Sequence, residues 1–564
     1  MDRIHSGNDR FAAALTADGA AFAYAMAGAS PLFADGPRTL ADILDRAATH
    51  GTATMTVDGD TRHSFASVLG RAAALAATLR EPFGVARGDR VALAIGNSVE
   101  WMIGFIGIAA LGAVPVLVNT RSAPEELRHA IGLGGIAVAI IDGERLRLLR
   151  DASPDSACRM VVLTDDPACL RPGLDMGFAA AIEGEAVLRP VGTAPEDGGA
   201  VLFTSGTTGH PKGALLSQRA LAHGVMLGNL LGAMNDAAFA ADNGLAPGAA
   251  GSSIRSPTII GGPLFHLGGV NPFLRCLYNG TPTILLRKWD AQSVLALIAR
   301  EQVRRIAMVP TMYWDLLRAP DPAGALATIR FISSGAAPIL PGLVSELRQR
   351  IPQLLLGNTY GSTETSGYVA SSYGRDFLDH PTSCGHVLPT VQVRLIADDG
   401  CDVVDGEPGE ICVRSAAVMD GYIDDPEATG DAFIDGDWFR TGDVGMMNAA
   451  GLLHIVDRKK NMIISGGENI YCAEVERVLS EHEGVHEVVA FGRPDARLGE
   501  RLAVTLFTAP GADLDAAAVK AYVAGRLAVY KVPRDVIFAA APLPRTASGK
   551  LDRTAVARGA QTRS

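Results

Sequence analysis

The chain is 564 residues long and 48% apolar, and its 50 Lys and Arg against 61 Asp and Glu leave a formal net charge of −11. That length predicts more than one domain, and the negative balance excludes a nucleic-acid-binding surface and a polybasic membrane anchor. Seven scattered cysteines, with no CxxC pair and no His/Cys cluster at metal spacing, exclude a disulfide framework and a zinc site and read as reduced thiols of a cytoplasmic protein.

In chain order, the first ten residues, MDRIHSGNDR, lack the charged-then-apolar pattern of a secretion signal. Residues 90–95 predict a strand. Residues 101–118 carry no charge and are long enough to score as a membrane span. Gly104, Gly107, Gly112 and Pro115 interrupt them, so we read a buried helix to about Gly112 and a buried strand over 114–118. Residues 135–141 and 160–164 predict further strands. Ala200, Val201, Leu202 and Phe203 form another. Residues 234–257 are poor in large apolar groups and read as an irregular insertion, more a tolerated surface loop than a substrate lid. A helix follows over 294–302 and a strand over 305–309, ending at Pro310. Between 391 and 415 the pattern turns to short strands with turns at Asp399-Gly400 and Glu407-Pro408-Gly409, which suits a small antiparallel barrel. The alternation of strands and helices predicts an α/β chain with mainly parallel sheets.

The densest chemistry follows Phe203. Thr204, Ser205, Gly206, Thr207, Thr208, Gly209, His210, Pro211, Lys212 and Gly213 combine hydroxyls, glycines and one cation. Glycines let backbone N–H groups close on an anion, and the hydroxyls and ammonium add donors, so the loop suits a polyphosphate. It departs from the common Gly-Lys-Ser/Thr nucleotide loop: Pro211 precedes Lys212 and Gly213 follows it, which predicts a lysine on a stiff turn.

This loop resembles the phosphate-binding signature of the adenylate-forming superfamily: acyl-CoA synthetases, aryl-CoA ligases, luciferases and peptide-synthetase adenylation domains. Four further motifs stand in that family's order. They are Tyr360, Gly361, Ser362, Thr363 and Glu364; Thr441, Gly442 and Asp443; Asp457, Arg458, Lys459 and Lys460 running through to Gly466, Gly467, Glu468 and Asn469; and Pro544 through Gly549 and Lys550. The resemblance covers most of residues 40–553. It implies a large N-terminal domain, 1–456, of two α/β subdomains plus a small β-barrel, and a smaller mobile α+β C-terminal domain, 457–564.

The resemblance also implies roles. Thr204 and the loop through Lys212 would hold the β- and γ-phosphates of ATP, with Mg2+ on Glu364 and Thr204. Thr363 would meet the α-phosphate. Asp443 and Arg458 would bind the ribose, with Ile455 and Lys459 beside the nucleotide. Tyr360 would stack on adenine, next to Gly361 and Ser362, while Gly335, Ala336 and Ala337 line the base and acyl channel. Lys550 would bridge carboxylate and α-phosphate during adenylation. Asp457 and Lys459 would flank a hinge that brings in Gly466, Gly467 and Glu468 and opens a path for the thiol of CoA. His266 would stand at the mouth of the acyl site. No carboxylate lies near it to meet an α-ammonium group, and Gly268 and Gly269 leave room for a long or bulky acid.

The activity so implied is an ATP-dependent carboxylate–CoA ligase with a small-molecule acid as partner. A medium- or long-chain fatty acid comes first and an aryl or cinnamic-type acid second. A ligase loading a carrier protein is the nearest rival, ahead of luciferase-like oxidation and of a non-catalytic binding scaffold. A homodimer is left open.

Overall fold

The computed structural model describes every residue except 1–3, 6–9, 137, 154–156, 185, 205–210, 247, 249, 250, 322, 323, 335–338, 340, 466, 467, 496, 510, 547–550 and 562–564. The chain forms two compact units. The larger holds Ile4–Val393 and Val413–Phe439, the smaller Arg394–Cys412 and the rest from Arg440 on.

The larger unit is α/β. Its first sheet has eight strands in the order Gly421–Tyr422, Lys212–Ser217, Gly198–Thr204, Val114–Leu117, Arg90–Ala94, Val138–Asp142, Arg159–Leu163 and Met176–Gly177. From Gly198–Thr204 onward all neighbours are parallel. The strands expected over 90–95, 135–141 and 160–164 are therefore present in one sheet. Residues 101–118 form the helix Val99–Ala110 and the strand Val114–Leu117. All but one of the twelve helix residues are buried, so the helix is apolar all round because protein surrounds it. Gly107 is small because a Cβ there would stand 3.1 Å from Ala72 O of the neighbouring helix Phe65–Arg80. Among the described residues no helix is long and apolar enough to cross a membrane.

A second sheet orders Thr258–Ile260, Thr283–Leu285, Thr54–Asp58 and Thr61–Ser64. A third set runs Arg305–Met308, Phe331–Ser334 and Leu355–Tyr360 in parallel, then Ala370–Tyr373 and Ser383–Val387 antiparallel. Between these layers lies the helix Gln218–Asp242, which corrects the reading of 234–257 as irregular: its first nine residues continue the helix. Its Ala- and Gly-rich sequence carries little apolar bulk, yet most of its residues are buried, so packing and alanine's propensity hold it helical.

In the smaller unit, Val485–Asp495 and Gly499–Thr508 form a long antiparallel pair, and Asp535–Phe538 joins in parallel. The helices Cys472–Ser480 and Ala516–Ala524 cover it through Val475, Leu479, Val519 and Val523, all buried.

Candidate active site

In the larger unit, Gly198–Thr204 and Lys212–Ser217 form an antiparallel hairpin that sets Thr204 opposite Lys212. Ser205, Gly206, Thr207, Thr208 and Gly209 lie outside the described residues. Lys212, expected on a stiff turn, is instead the first residue of its strand, where ladder pairing fixes it. The short strand Gly421–Tyr422 pairs on its far side, Tyr422 opposite Ala214. This brings the Lys212 ammonium 5.2 Å from the Tyr422 ring centroid and 3.6 Å from Asp425.

Tyr422 has a second contact. Its hydroxyl donates to Glu364 Oε1 at 3.1 Å. Burial, reinforced by the Glu364 carboxylate, pushes the phenol well above its ordinary value, so it stays a donor at any working pH. The Met419 N–H donates to the Glu364 carbonyl at 2.8 Å. Thr204, Lys212, Tyr422 and Glu364 thus form one connected group.

Glu364 sits in the 3-10 turn Thr363–Thr365, just beyond the strand Leu355–Tyr360, and that turn packs on both hairpin strands. The motif's small residue has a steric cause: a Cβ at Gly361 would stand 2.4 Å from Gly367 C. The Ser362 N–H donates to Thr365 Oγ1 at 2.9 Å. Asn271 Nδ2 donates to Ser366 O at 2.9 Å, tying the turn to the helix Leu267–Asn279.

His266 is the N-cap residue of that helix, its ring centroid 4.5 Å from that of Phe265. The two glycines after it part ways. Gly268 is exposed with open space at its Cβ position. Gly269 is buried, and a Cβ there would stand 2.5 Å from Pro263 O. Gly269 therefore serves a close backbone approach and leaves no room for an acyl chain, which corrects that expectation. Gly335, Ala336 and Ala337, directly after the strand Phe331–Ser334, lie outside the described residues.

In the smaller unit, Asp443 and Arg458 are cross-strand partners, and Arg458 Nε donates to Asp443 Oδ1 at 3.0 Å. Asp443 is buried while the Arg458 side chain is 52% exposed, so the pair presents its charge outward. Ile455, on the same strand Leu453–Arg458, is exposed. Asp457 is buried, and burial raises its pKa. Its two oxygens accept from the N–H of Arg458 at 2.6 Å and of Ala473 at 2.9 Å, so it anchors the start of the helix Cys472–Ser480. Lys459 lies 2.8 Å from Asp398 and 3.3 Å from Glu410, and the hydrogen bond to Asp398 leads in raising its pKa. Glu468 opens the strand Glu468–Ile470. Gly466, Gly467 and Lys550 lie outside the described residues.

Sequence reading did not single out Tyr422, Asp425, Asp398 or Glu410. They stand in no motif, and only strand pairing and turns bring them to the motif residues. Among the described residues no group of three or more His, Cys, Asp or Glu could cage a metal. One carboxylate near a hydroxyl does fit magnesium, which keeps water and phosphate oxygens as most of its ligands.

Residues 43–423 match the AMP-binding enzyme family, and residues 474–550 match the AMP-binding enzyme C-terminal domain. The chain is 35% identical to the indoleacetate–CoA ligase of Aromatoleum aromaticum, over 86% of this chain and 91% of that one. It is 33% identical to the long-chain-fatty-acid–CoA ligase FadD13 of Mycobacterium tuberculosis, over 84% and 88%. The crystal structure of ATP-bound MatB from Rhodopseudomonas palustris superposes with a TM-score of 0.79 at 27% identity, over 92% of this chain and 98% of that one. The chain belongs to the AMP-binding enzyme family, the adenylate-forming superfamily, and is an AMP-forming acid–thiol ligase.

Proposed function

We propose that the protein joins a carboxylic acid to CoA in two steps. A carboxylate is a poor electrophile. Attack of its oxygen on the α-phosphorus of ATP expels pyrophosphate and leaves an acyl-AMP mixed anhydride. The thiol of CoA then attacks the acyl carbon, AMP leaves, and a thioester remains.

The group formed by Thr204, Lys212, Tyr422 and Glu364 carries this reading. A strand end followed in sequence by hydroxyl- and glycine-rich residues, with a cation opposite that strand end and a hydrogen-bonded carboxylate joined to it through Tyr422, is chemistry for a polyphosphate and its metal. Thr204 and Lys212, with Ser205, Gly206, Thr207, Thr208 and Gly209, hold the leaving phosphates. Glu364 and Thr204 hold Mg2+, which supplies charge neutralisation there. Tyr422 fixes the Glu364 carboxylate. Asp443 accepts from the ribose hydroxyls while Arg458 orients it. Tyr360 stacks on the base, which Gly335, Ala336 and Ala337 border. Lys550 stabilises the charge that concentrates between carboxylate and α-phosphate. Asp457 and Lys459 are the hinge of a C-terminal domain starting near 457, and Gly466, Gly467 and Glu468 serve the second step.

The relatives named above act on indoleacetate and on long-chain fatty acids, which supports an acid without an α-amino group and larger than acetate. A medium- or long-chain acid is the first choice and an aryl acid the second. The test is thioester formation from ATP and CoA across acetate, octanoate, palmitate, benzoate and coumarate, with a phosphopantetheinyl carrier protein as the competing acceptor. Thioester on CoA with release of AMP is expected. Product on the carrier alone would replace CoA as acceptor, and release of ADP would end the adenylation reading.

A further inference from the structure

The helix Gln218–Asp242 carries Gly224, Gly228, Gly232 and Asn235 at spacings of four, four and three, which is one helical face. That face starts at the YGSTE turn: a Cβ at Gly224 would lie 3.4 Å from Ser366 Cβ. One turn on, a Cβ at Gly228 would lie 2.8 Å from both Arg275 Cδ and Tyr368 Oη. One more turn on, a Cβ at Gly232 would lie 3.3 Å from Arg305 Nη1. Small residues on this face make room for two guanidinium groups.

Neither guanidinium forms an ion pair among the described residues. Arg275 donates Nε to Asn229 Oδ1 at 3.1 Å, and Arg305 lies 4.8 Å over the Phe331 ring. Arg305 Nη1, Asn235 Oδ1, Asn235 Nδ2 and Asn271 Oδ1 are buried without a hydrogen-bonding partner. Asn235 is 2% exposed. Burial and the like charge of Arg275 lower the Arg305 pKa, and Tyr368 and Asp236 oppose them. Native interiors seldom leave such polar atoms unpaired, and the two donors among them, Arg305 Nη1 and Asn235 Nδ2, call for an acceptor. Eight residues separate Gly224 from Gly232, a rise of about 12 Å. An extended chain covers that span in about ten bonds, at about 3.5 Å per three bonds.

We propose that the acid substrate carries a second oxygen function, a carboxylate or a ketone, at the end away from its reacting carboxyl group, and that Arg275, Arg305 and Asn235 receive it. The inference rests on the ligase reading above and narrows its substrate.

The test measures thioester formation with decanoate, decanedioate and 9-oxodecanoate. The wild type is expected to use an oxygenated acid with kcat/KM tenfold or more above decanoate. A larger gain with decanedioate identifies an anionic function, and a larger gain with 9-oxodecanoate a neutral one. Arg305→Met and Asn235→Leu should each erase the preference through KM, while exchange of pyrophosphate into ATP driven by decanoate persists. A wild type that prefers decanoate overturns the proposal, as do folded variants that keep the wild-type ratio. Where a variant fails to fold, the wild-type ratio decides alone. Decanoate-driven exchange without any advantage for the oxygenated acids removes this inference and leaves the ligase standing. No exchange with any acid removes both.

Discussion

At the residue scale, the Tyr422 hydroxyl has one visible task, to orient the Glu364 carboxylate. Tyr422→Phe keeps the ring beside Lys212 and deletes the donor. A hydrogen bond to a charged group is worth ~1.5–3 kcal/mol. Acid-dependent exchange of pyrophosphate into ATP should fall roughly ten- to hundredfold, with a higher magnesium requirement. Unchanged exchange at limiting magnesium would separate Glu364 from the metal. Lys550→Ala should lose adenylation by ~3–4 kcal/mol of transition-state stabilisation and largely spare thioester formation from supplied acyl-AMP. Equal loss in both steps would remove its assigned role.

His223 gives a pH prediction. It is fully buried, with a ring nitrogen 2.9 Å from Thr390 Oγ1, and burial lowers its pKa to about 3 from the usual 6.5. The unfolded chain therefore takes up a proton that the folded one refuses. This residue's contribution is whole above pH 6.5 and is lost as pH falls towards 3. At pH 5 the loss is ~2 kcal/mol. The urea midpoint should drop between pH 7 and pH 5, and His223→Gln should flatten that drop. Parallel pH curves for the two proteins would contradict the neutral, buried ring.

At the element scale, the start of the helix Leu267–Asn279 sorts two adjacent glycines. Gly269→Ala should destabilise the fold, because its Cβ would meet Pro263 backbone, and activity with short and long acids should fall in proportion. Gly268→Ala should be tolerated. A changed chain-length preference in Gly269→Ala with stability intact would restore that glycine to the pocket. The helix Cys472–Ser480 starts on the Asp457 carboxylate. Asp457→Ala removes an anchor worth ~1 kcal/mol, and if the residue is also the hinge, exchange should survive while CoA thioester formation falls. Legibility follows the same divide. The strands over 90–94 and 138–142 and the buried helix Val99–Ala110 were readable, since apolar runs between glycines leave few alternatives. The last nine residues of Gln218–Asp242 were not, because Ala, Gly and Asn look the same in a loop as in a helix buried on most sides.

At the scale of the whole molecule, the α/β class, the mainly parallel pairing of the first sheet and the family were legible, because motif order along the chain reflects shared architecture. Partners without a motif were hidden. Tyr422 reaches Glu364 across 58 residues of sequence and Arg305 faces Gly232 across 73, distances that no local pattern encodes. The reaction as a whole is a carboxylate made reactive by adenylation and only then passed to a thiol. Exchange of labelled pyrophosphate into ATP, measured without CoA, tests that order directly. Exchange should require a carboxylic acid, proceed without CoA, and be lost in Lys550→Ala. Exchange that ignores the acid, or that appears only when CoA is present, would contradict it.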